Sequence, residues 1–425
     1  MAEQDPPAAK ADVPGRARRR RKGRKGKSRL PAAGTAKAKA RPVPGGRQKK
    51  ADAAPRGKDD SGAVAVQVAQ PISTSAPRPS SPRQSYAAID LGTNNCRLLI
   101  ARPSGEHFTV IDAFSRVVRL GEGLAQSGRL SDEAMERTLA ALRVCADKLM
   151  RRNVFLARSV ATEACRRAEN GPEFIERVRR ETGIALDIIS AREEARLAVL
   201  GCHVLLEEGM GPAMIFDIGG GSTELVLIES TGTVPRILDW QSVPWGVVSL
   251  TESCPPEGAT RAEREERYRH MHSLVSDSFS AFSKRVSGAR ESAGQAGPLR
   301  LLGTSGTVTT LASLHLELPQ YDRRMVDGLI VPAESMREIS GRLSSMAVEE
   351  RRELNCIGRE RADLVVAGCA ILESILDLWP AARLGVADRG IREGILRGLI
   401  ASHSYGRGER SRTVNDSVRR AVASR

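Results

Sequence analysis

Two short phrases of this chain place an acid at the end of an apolar run and follow it at once with glycine. Ala88-Ile89-Asp90-Leu91-Gly92-Thr93-Asn94-Asn95-Cys96-Arg97-Leu98-Leu99-Ile100 returns as Ile215-Phe216-Asp217-Ile218-Gly219-Gly220-Gly221-Ser222-Thr223-Glu224-Leu225-Val226-Leu227. At one offset of 127 residues the aspartates, the first glycines and three later apolar positions coincide. Each phrase reads as strand, turn, strand. A single Asp-x-Gly hairpin is ordinary, but a duplicated one suggests that two related halves each bring an acid and a glycine turn to the same place. Such turns can aim backbone N–H groups at an anion, and the acid can hold a divalent cation. The chemistry is that of phosphate handling. Gly92, Thr93 and Asn94 in the first turn and Gly219, Gly220, Gly221 and Ser222 in the second are candidate phosphate contacts, and Asp90 and Asp217 are candidate metal ligands. Magnesium binds one or two carboxylates and otherwise water and phosphate oxygens, so two tip aspartates with Glu224 suffice. Glu224 can equally be a surface residue of its strand.

A third glycine turn, Leu302-Gly303-Thr304-Ser305-Gly306-Thr307, leads into a helix, where free N–H groups and the helix dipole suit a phosphate. The same residues would also serve as a plain helix cap. A fourth lies at 388–390. In Ile189-Ser190-Ala191-Arg192-Glu193-Glu194-Ala195-Arg196, Ser190 is placed as N-cap, so Glu193 falls third in the helix and closes a capping box. Glu194 points about 100° away and has no structural duty, which makes it the better candidate for a general base. Arg97 and Arg166 follow strands in the first half and can grip phosphate in two-pronged fashion, although isolated arginines are commonly just solvated. The six histidines show no metal or triad spacing, and no Gly-x-x-x-x-Gly-Lys-Ser loop occurs.

These residues need strands that end together. Beyond the first hairpin, the spacing predicts a helix from Ser131 to Met150, a strand over Phe155–Ala161, a helix over Ala164–Thr182 and a strand over Ala185–Ile189. A helix follows from Ser190 to about Leu206. The second half opens with the hairpin at 214–228. It continues with a polar amphipathic helix over 262–287, a loop over 288–298, a strand over Leu299–Leu302 and a turn and helix over 303–314. A strand over Arg383–Ala387 and a helix over Ile391–Ile400 close it. Alternating strands and helices with a repeated hairpin indicate an α/β protein of two similar lobes, over 86–200 and 201–400, with a ligand cleft between them and the final helix returning to the first lobe.

The 425 residues carry a formal charge of +15, and residues 1–85 account for all of it with 21 Lys/Arg against 6 Asp/Glu. The remainder is balanced at 45 of each. Residues 1–85 have no aromatic residue and no periodicity, so a disordered basic arm is expected, centred on Arg18-Arg19-Arg20-Arg21-Lys22-Gly23-Arg24-Lys25 and weakly attractive to polyanions such as polyphosphate or RNA. Residues 401–425 read as a polar tail. Seven scattered cysteines without Cys-x-x-Cys pairing predict buried thiols in a reducing compartment, and with neither a membrane span nor a secretory signal the cytoplasm is expected.

The chain resembles the exopolyphosphatase/guanosine pentaphosphate phosphohydrolase family over residues 86–400. The resemblance lies in the two hairpins, Ala161-Thr162-Glu163-Ala164-Cys165-Arg166, the 189–196 segment, Gly303-Thr304-Ser305-Gly306 and Asp388-Arg389-Gly390-Ile391-Arg392-Glu393-Gly394. It implies the actin-like, sugar kinase and heat-shock ATPase fold of two ribonuclease-H-like lobes. It further implies magnesium-dependent removal of the terminal phosphate of inorganic polyphosphate or, alternatively, of guanosine pentaphosphate (pppGpp), and a homodimer is family-typical. By motif, Glu194 would be the base, Asp90 and Asp217 would lie near the metal with Glu224 in support, Gly219 to Ser222 would surround the scissile phosphate, and Arg166 would touch substrate. Two departures stand out: Ala191-Arg192 in place of Gly-Asn, and Asp388-Arg389-Gly390 in place of Asp-Gly-Ala. The helical domains that long members carry beyond such a core are not expected. A kinase of the same fold and a non-catalytic sensor of ppGpp or polyphosphate are the rival readings.

Overall fold

The computed structural model describes residues 84–105, 107–209, 211–230, 235–294 and 300–405. The expected basic arm falls outside them except for its last residues, as do most of the polar tail and residues 295–299. Order along the first lobe is β1 Ser85–Leu91, β2 Asn95–Ser104, β3 His107–Val117, α1 Leu124–Ser127, α2 Asp132–Arg151, β4 Val154–Ala161, α3 Glu163–Arg167, α4 Gly171–Thr182, β5 Leu186–Ile188 and α5 Ala191–Cys202. The second lobe runs through β6 Pro212–Ile218, β7 Thr223–Glu229, β8 Arg236–Val243, α6 Val247–Ser253, α7 Arg261–Gly294, β9 Arg300–Thr304 and α8 Gly306–His315. It ends with α9 Arg323–Val326, β10 Ile330–Pro332, α10 Ala333–Ser345, α11 Val348–Arg352, α12 Val365–Leu378, β11 Arg383–Ala387 and α13 Ile391–Tyr405.

The sheets repeat one plan. The first has strand order β3-β2-β1-β4-β5 and the second β8-β7-β6-β9-β11, with β10 added beyond β11. In both, the hairpin strands are antiparallel and the next strand runs parallel to the first. The central strands β1 and β9 are apolar or small almost throughout because both of their faces are covered. Helix α7 contributes Met271, Val275, Phe279, Phe282 and Val286 as one buried stripe to the larger core. Helix α13 returns to the first sheet, where Ile391, Ile395 and Leu396 pack with Tyr86, Ala88, Leu99 and Leu197.

Most expected elements lie within a few residues of their predicted places; three differ. The helix expected over Ala164–Thr182 is broken into α3 and α4. Inside one continuous helix Pro172 would have no N–H for the Ala168 carbonyl, so it sits in the first turn of α4, where none is needed, and Asn170 exchanges two hydrogen bonds with the backbone of Leu130. The loop expected from 288 is helical as far as Gly294. The turn expected at 303 comes later, because β9 continues through Gly303 and Thr304 and the cap is Ser305, which accepts from the N–H of Val308 at 3.1 Å. All seven cysteines are free thiols, six of them buried. Among the described residues, no helix is long and apolar enough to cross a membrane.

Candidate active site

The two hairpin tips face one cavity of about 130 Å³. They are built alike to the level of single hydrogen bonds. The N–H of Gly92 donates to Asn95 O at 2.9 Å, and 127 residues later that of Gly219 donates to Ser222 O, also at 2.9 Å. Beyond each turn a following segment takes its carbonyls. Thr93 O accepts from Gly121 N and Asn94 O from Val118 and Arg119 N; Gly219 O accepts from Val247 N and Gly220 O from Val248 N. Gly221 O accepts from Ser249 Oγ at 3.0 Å. In a trans peptide the N–H points opposite its carbonyl, so the amides of residues 94–95 and 220–222 are turned away from these packed segments. Both tips thus offer amide edges suited to an oxyanion.

The register of the hairpins sets the charge. Asp90 stands opposite Arg97, and at the equivalent pair Asp217 stands opposite Glu224. The first tip is therefore charge-balanced and the second concentrates two acids. Burial raises the Asp90 carboxyl above the ordinary range, opposed by Arg97 and Arg392. For Asp217 burial and then the Glu224 charge push the carboxyl up to about 8. Glu224 is raised by burial, against hydroxyl hydrogen bonds from Ser222 and Ser242 at 2.7 and 2.9 Å to one of its oxygens.

Glu194 also lines the cavity, delivered by α5. Burial foremost, then the Glu224 charge, raises it well above an ordinary glutamate. Its neighbour Glu193 is turned out of the cavity. Ser190 accepts the N–H of Glu193 as expected, but the Glu193 carboxylate is held by Arg196 and Arg158 instead of closing the box. These guanidinium hydrogen bonds, Arg196 foremost, lower its carboxyl.

Of the residues singled out from sequence, Asp90, Gly92, Thr93, Asn94, Arg97, Glu194, Asp217, Gly219, Gly220, Gly221, Ser222, Glu224, Ser305 and Gly306 line the cavity. Three do not. Gly303 lies within β9 against the Phe216 ring, and Thr304 Oγ1 donates to Arg389 O at 2.8 Å. Arg166 donates to Ile189 O at 2.8 Å and to Glu194 Oε2 at 3.2 Å, so its place is on the acid. Glu163 and Arg361 line the cavity although sequence reasoning gave them no role. Glu163 accepts from Thr93 Oγ1 at 3.0 Å and stood inside the quoted 161–166 motif, whereas Arg361 follows an irregular stretch without any spacing signal.

Whether a divalent cation fits is answered by the donors. Among the described residues, no group of three or more acids, histidines or cysteines is placed to encage a metal. Five acids, Asp90, Glu163, Glu194, Asp217 and Glu224, nevertheless share the cavity, and Asn94 Oδ1 and Asn95 Oδ1 are buried without a hydrogen-bond donor. This surplus of hard oxygen acceptors suits a cation that takes few protein ligands and completes its shell with water and phosphate.

A two-lobed α/β protein with paired amide-rich tips and a buried acid cluster belongs to the phosphoryl-handling class. Residues 99–403 match the sequence profile of the Ppx/GppA phosphatase family, and the chain belongs to that family. It is similar to Exopolyphosphatase 2 of Mycobacterium tuberculosis, with 32% identity over 331 residues, 74% of this chain and 98% of the relative. A solved Ppx/GppA family member from Aquifex aeolicus superposes with a TM-score of 0.61 at 28% identity, covering 76% of this chain and 99% of that one. An exopolyphosphatase from Cytophaga hutchinsonii shares the fold with a TM-score of 0.66 at 24% identity, over 75% of this chain and 98% of that one.

Proposed function

We propose that the chain is an exopolyphosphatase that hydrolyses the terminal phosphoanhydride of inorganic polyphosphate and releases orthophosphate. The observation that carries this reading is the convergence of both tips and Glu194 on one small cavity. The terminal phosphate sits between the amide edges of 94–95 and 220–222, with Ser305 and Gly306 at the start of α8 and the guanidinium of Arg97 as further donors. Glu194 accepts a proton from a water poised in line with the terminal phosphorus, and its burial makes it a stronger base than an exposed glutamate. Arg166 holds the carboxylate in place from behind. The fixed amides lie where charge develops on the equatorial oxygens. Magnesium, held by Asp90 and Asp217 with Glu224 in support, would supply charge neutralisation for the phosphate oxygens. The leaving phosphate chain is acidic enough to depart without a protein acid.

Inorganic polyphosphate is favoured over pppGpp by the lining. Among the described residues, no Phe, Tyr or Trp borders the cavity, so a guanine base finds no stacking partner there. Its volume suits a terminal phosphate and a water, since a cavity of about 150 Å³ holds a molecule the size of benzene. The basic arm, outside the described residues, would add salt-sensitive attraction for long chains. The test is orthophosphate release by the purified chain from polyphosphate and from pppGpp, with and without magnesium. A kcat/KM at least tenfold higher for polyphosphate is expected; a tenfold preference for pppGpp would reverse the assignment.

A further inference from the structure

A second cavity, of about 430 Å³, opens where β3 faces α9 and the start of α13, and it shares no lining residue with the catalytic cleft. Five charged side chains line it: Arg323, Asp327, Arg389, Glu393 and Arg397. Both acids have their oxygens engaged. Asp327 takes Arg389 Nε at 2.7 Å on one oxygen and the N–H of Asp388 at 3.0 Å on the other. Glu393 takes Arg323 at 2.9 Å on one and the N–H of Gly390 at 2.9 Å on the other.

Arg397 is different. It is half-buried, its Nε is shut away from solvent with no hydrogen-bond acceptor, and among the described residues it has no ion-pair partner. Burial foremost, then the like charge of Arg389, disfavours its cationic form, opposed only in part by Glu393 one turn earlier on α13 and by Cys202. A guanidinium with a shielded, unanswered N–H, beside a second guanidinium whose Nε alone is committed to Asp327, calls for an anion with several oxygens. Planar guanidinium forks match phosphate oxygens in two-pronged fashion. The cavity is roomy enough for more than one phosphate group.

We infer that this cavity is a second oligophosphate-binding site, in which Arg397 and Arg389 grip phosphate oxygens outside the catalytic cleft. The phosphates come either from the distal part of a long substrate or from a separate small anion. The site stands whether or not the cleft hydrolyses polyphosphate.

The test is calorimetric titration of the full chain carrying Glu194→Gln, to prevent turnover, with orthophosphate, tripolyphosphate and long-chain polyphosphate. Arg397→Gln and, separately, Arg389→Gln are added to that background. Each should weaken one binding event at least tenfold for one or more of these ligands and leave a second, cleft-borne event in place. In chains that retain Glu194, both variants should leave kcat on tripolyphosphate within twofold. Loss of the event with orthophosphate identifies a separate anion, and loss with long chains alone identifies the distal substrate; either supports the site. Should Arg397→Gln lower the melting temperature into the assay range, Arg389→Gln decides alone. Isotherms unchanged by the folded variants would overturn the inference. An Arg397-dependent event in a chain that hydrolyses nothing would instead refute only the reading of the cleft.

Discussion

The acid cluster has a thermodynamic consequence that can be measured without substrate. In the absence of divalent cations, Asp217→Asn should stabilise the protein at pH 8. Burial and the charge of Glu224 move the Asp217 carboxyl from its ordinary 3.8 to about 8. A carboxyl raised in the folded state holds its proton more tightly there than in the unfolded chain. Ionising it therefore costs nothing below pH 3.8, costs progressively more above that, and reaches its full penalty above about pH 8. At about 1.4 kcal/mol per pH unit the interval corresponds to an upper bound of about 6 kcal/mol. The charge is shared with Glu224, Asp90 and Glu194, and the neighbours relax when one acid is neutralised, so about 2 kcal/mol is the expected gain. Scanning calorimetry in chelator at pH 8 should show the variant melting about 4 °C higher, with the two proteins converging near pH 4. Magnesium should then raise the wild type more than the variant. A variant less stable than wild type at pH 8, or a difference independent of pH, would refute the reasoning.

Three further outcomes follow from the geometry. A Cβ on Gly246 would lie 2.4 Å from the Gly220 carbonyl carbon, so Gly246→Ala should displace the second tip, costing about 1–3 kcal/mol of stability and at least tenfold in kcat, which a melting curve and an orthophosphate assay would read. Arg119, in the left-handed region at φ 47°, reaches across the cleft mouth to Glu360 O at 3.0 Å and Asp363 at 3.2 Å, while Glu252 receives the N–H of Gly123 at 3.0 Å. Arg119→Ala should therefore speed amide hydrogen exchange at the mouth of the cleft, and unchanged exchange there would mean that this latch holds nothing. On β3, hydrogen bonds from Lys148 and Arg152 at 2.7 Å hold the Asp112 carboxyl down to about 2. The stability it contributes is complete above the ordinary carboxylate range and lost as pH falls through about 2. Because Arg152 is half exposed, Asp112→Asn should cost only about 1 kcal/mol at pH 7, in urea titrations, and the cost should vanish only below about pH 2.

The sequence disclosed the tips because their chemistry repeats locally: one offset aligned Asp90 with Asp217, and the same offset aligns their turn hydrogen bonds. It disclosed the direction of Glu194 from a serine cap three residues before Glu193. Long-range pairing was less legible. The opposition of Asp217 to Glu224 is a matter of strand register, and Arg166 meets Glu194 only once α3 and α5 are packed. Arg361 reaches the cavity from a single 3-10 turn, Arg359–Arg361, too short to carry a period. Thr304 looked like part of a phosphate loop because the glycines around it obscured how far β9 runs, and the partner of its hydroxyl, Arg389 O, lies 85 residues away.

The central claim is that Glu194 is the base of a phosphoanhydride hydrolase whose second tip carries the charge. Steady-state orthophosphate release from polyphosphate, at saturating magnesium, by wild type, Glu194→Gln and Glu193→Gln tests it most directly. Glu194→Gln should lower kcat by about 10²–10⁴-fold, the range for losing a general base, with polyphosphate affinity largely kept. Glu193→Gln, whose carboxylate is turned toward Arg158 and Arg196, should stay within about threefold of wild type. An active Glu194→Gln beside an inactive Glu193→Gln would contradict the account.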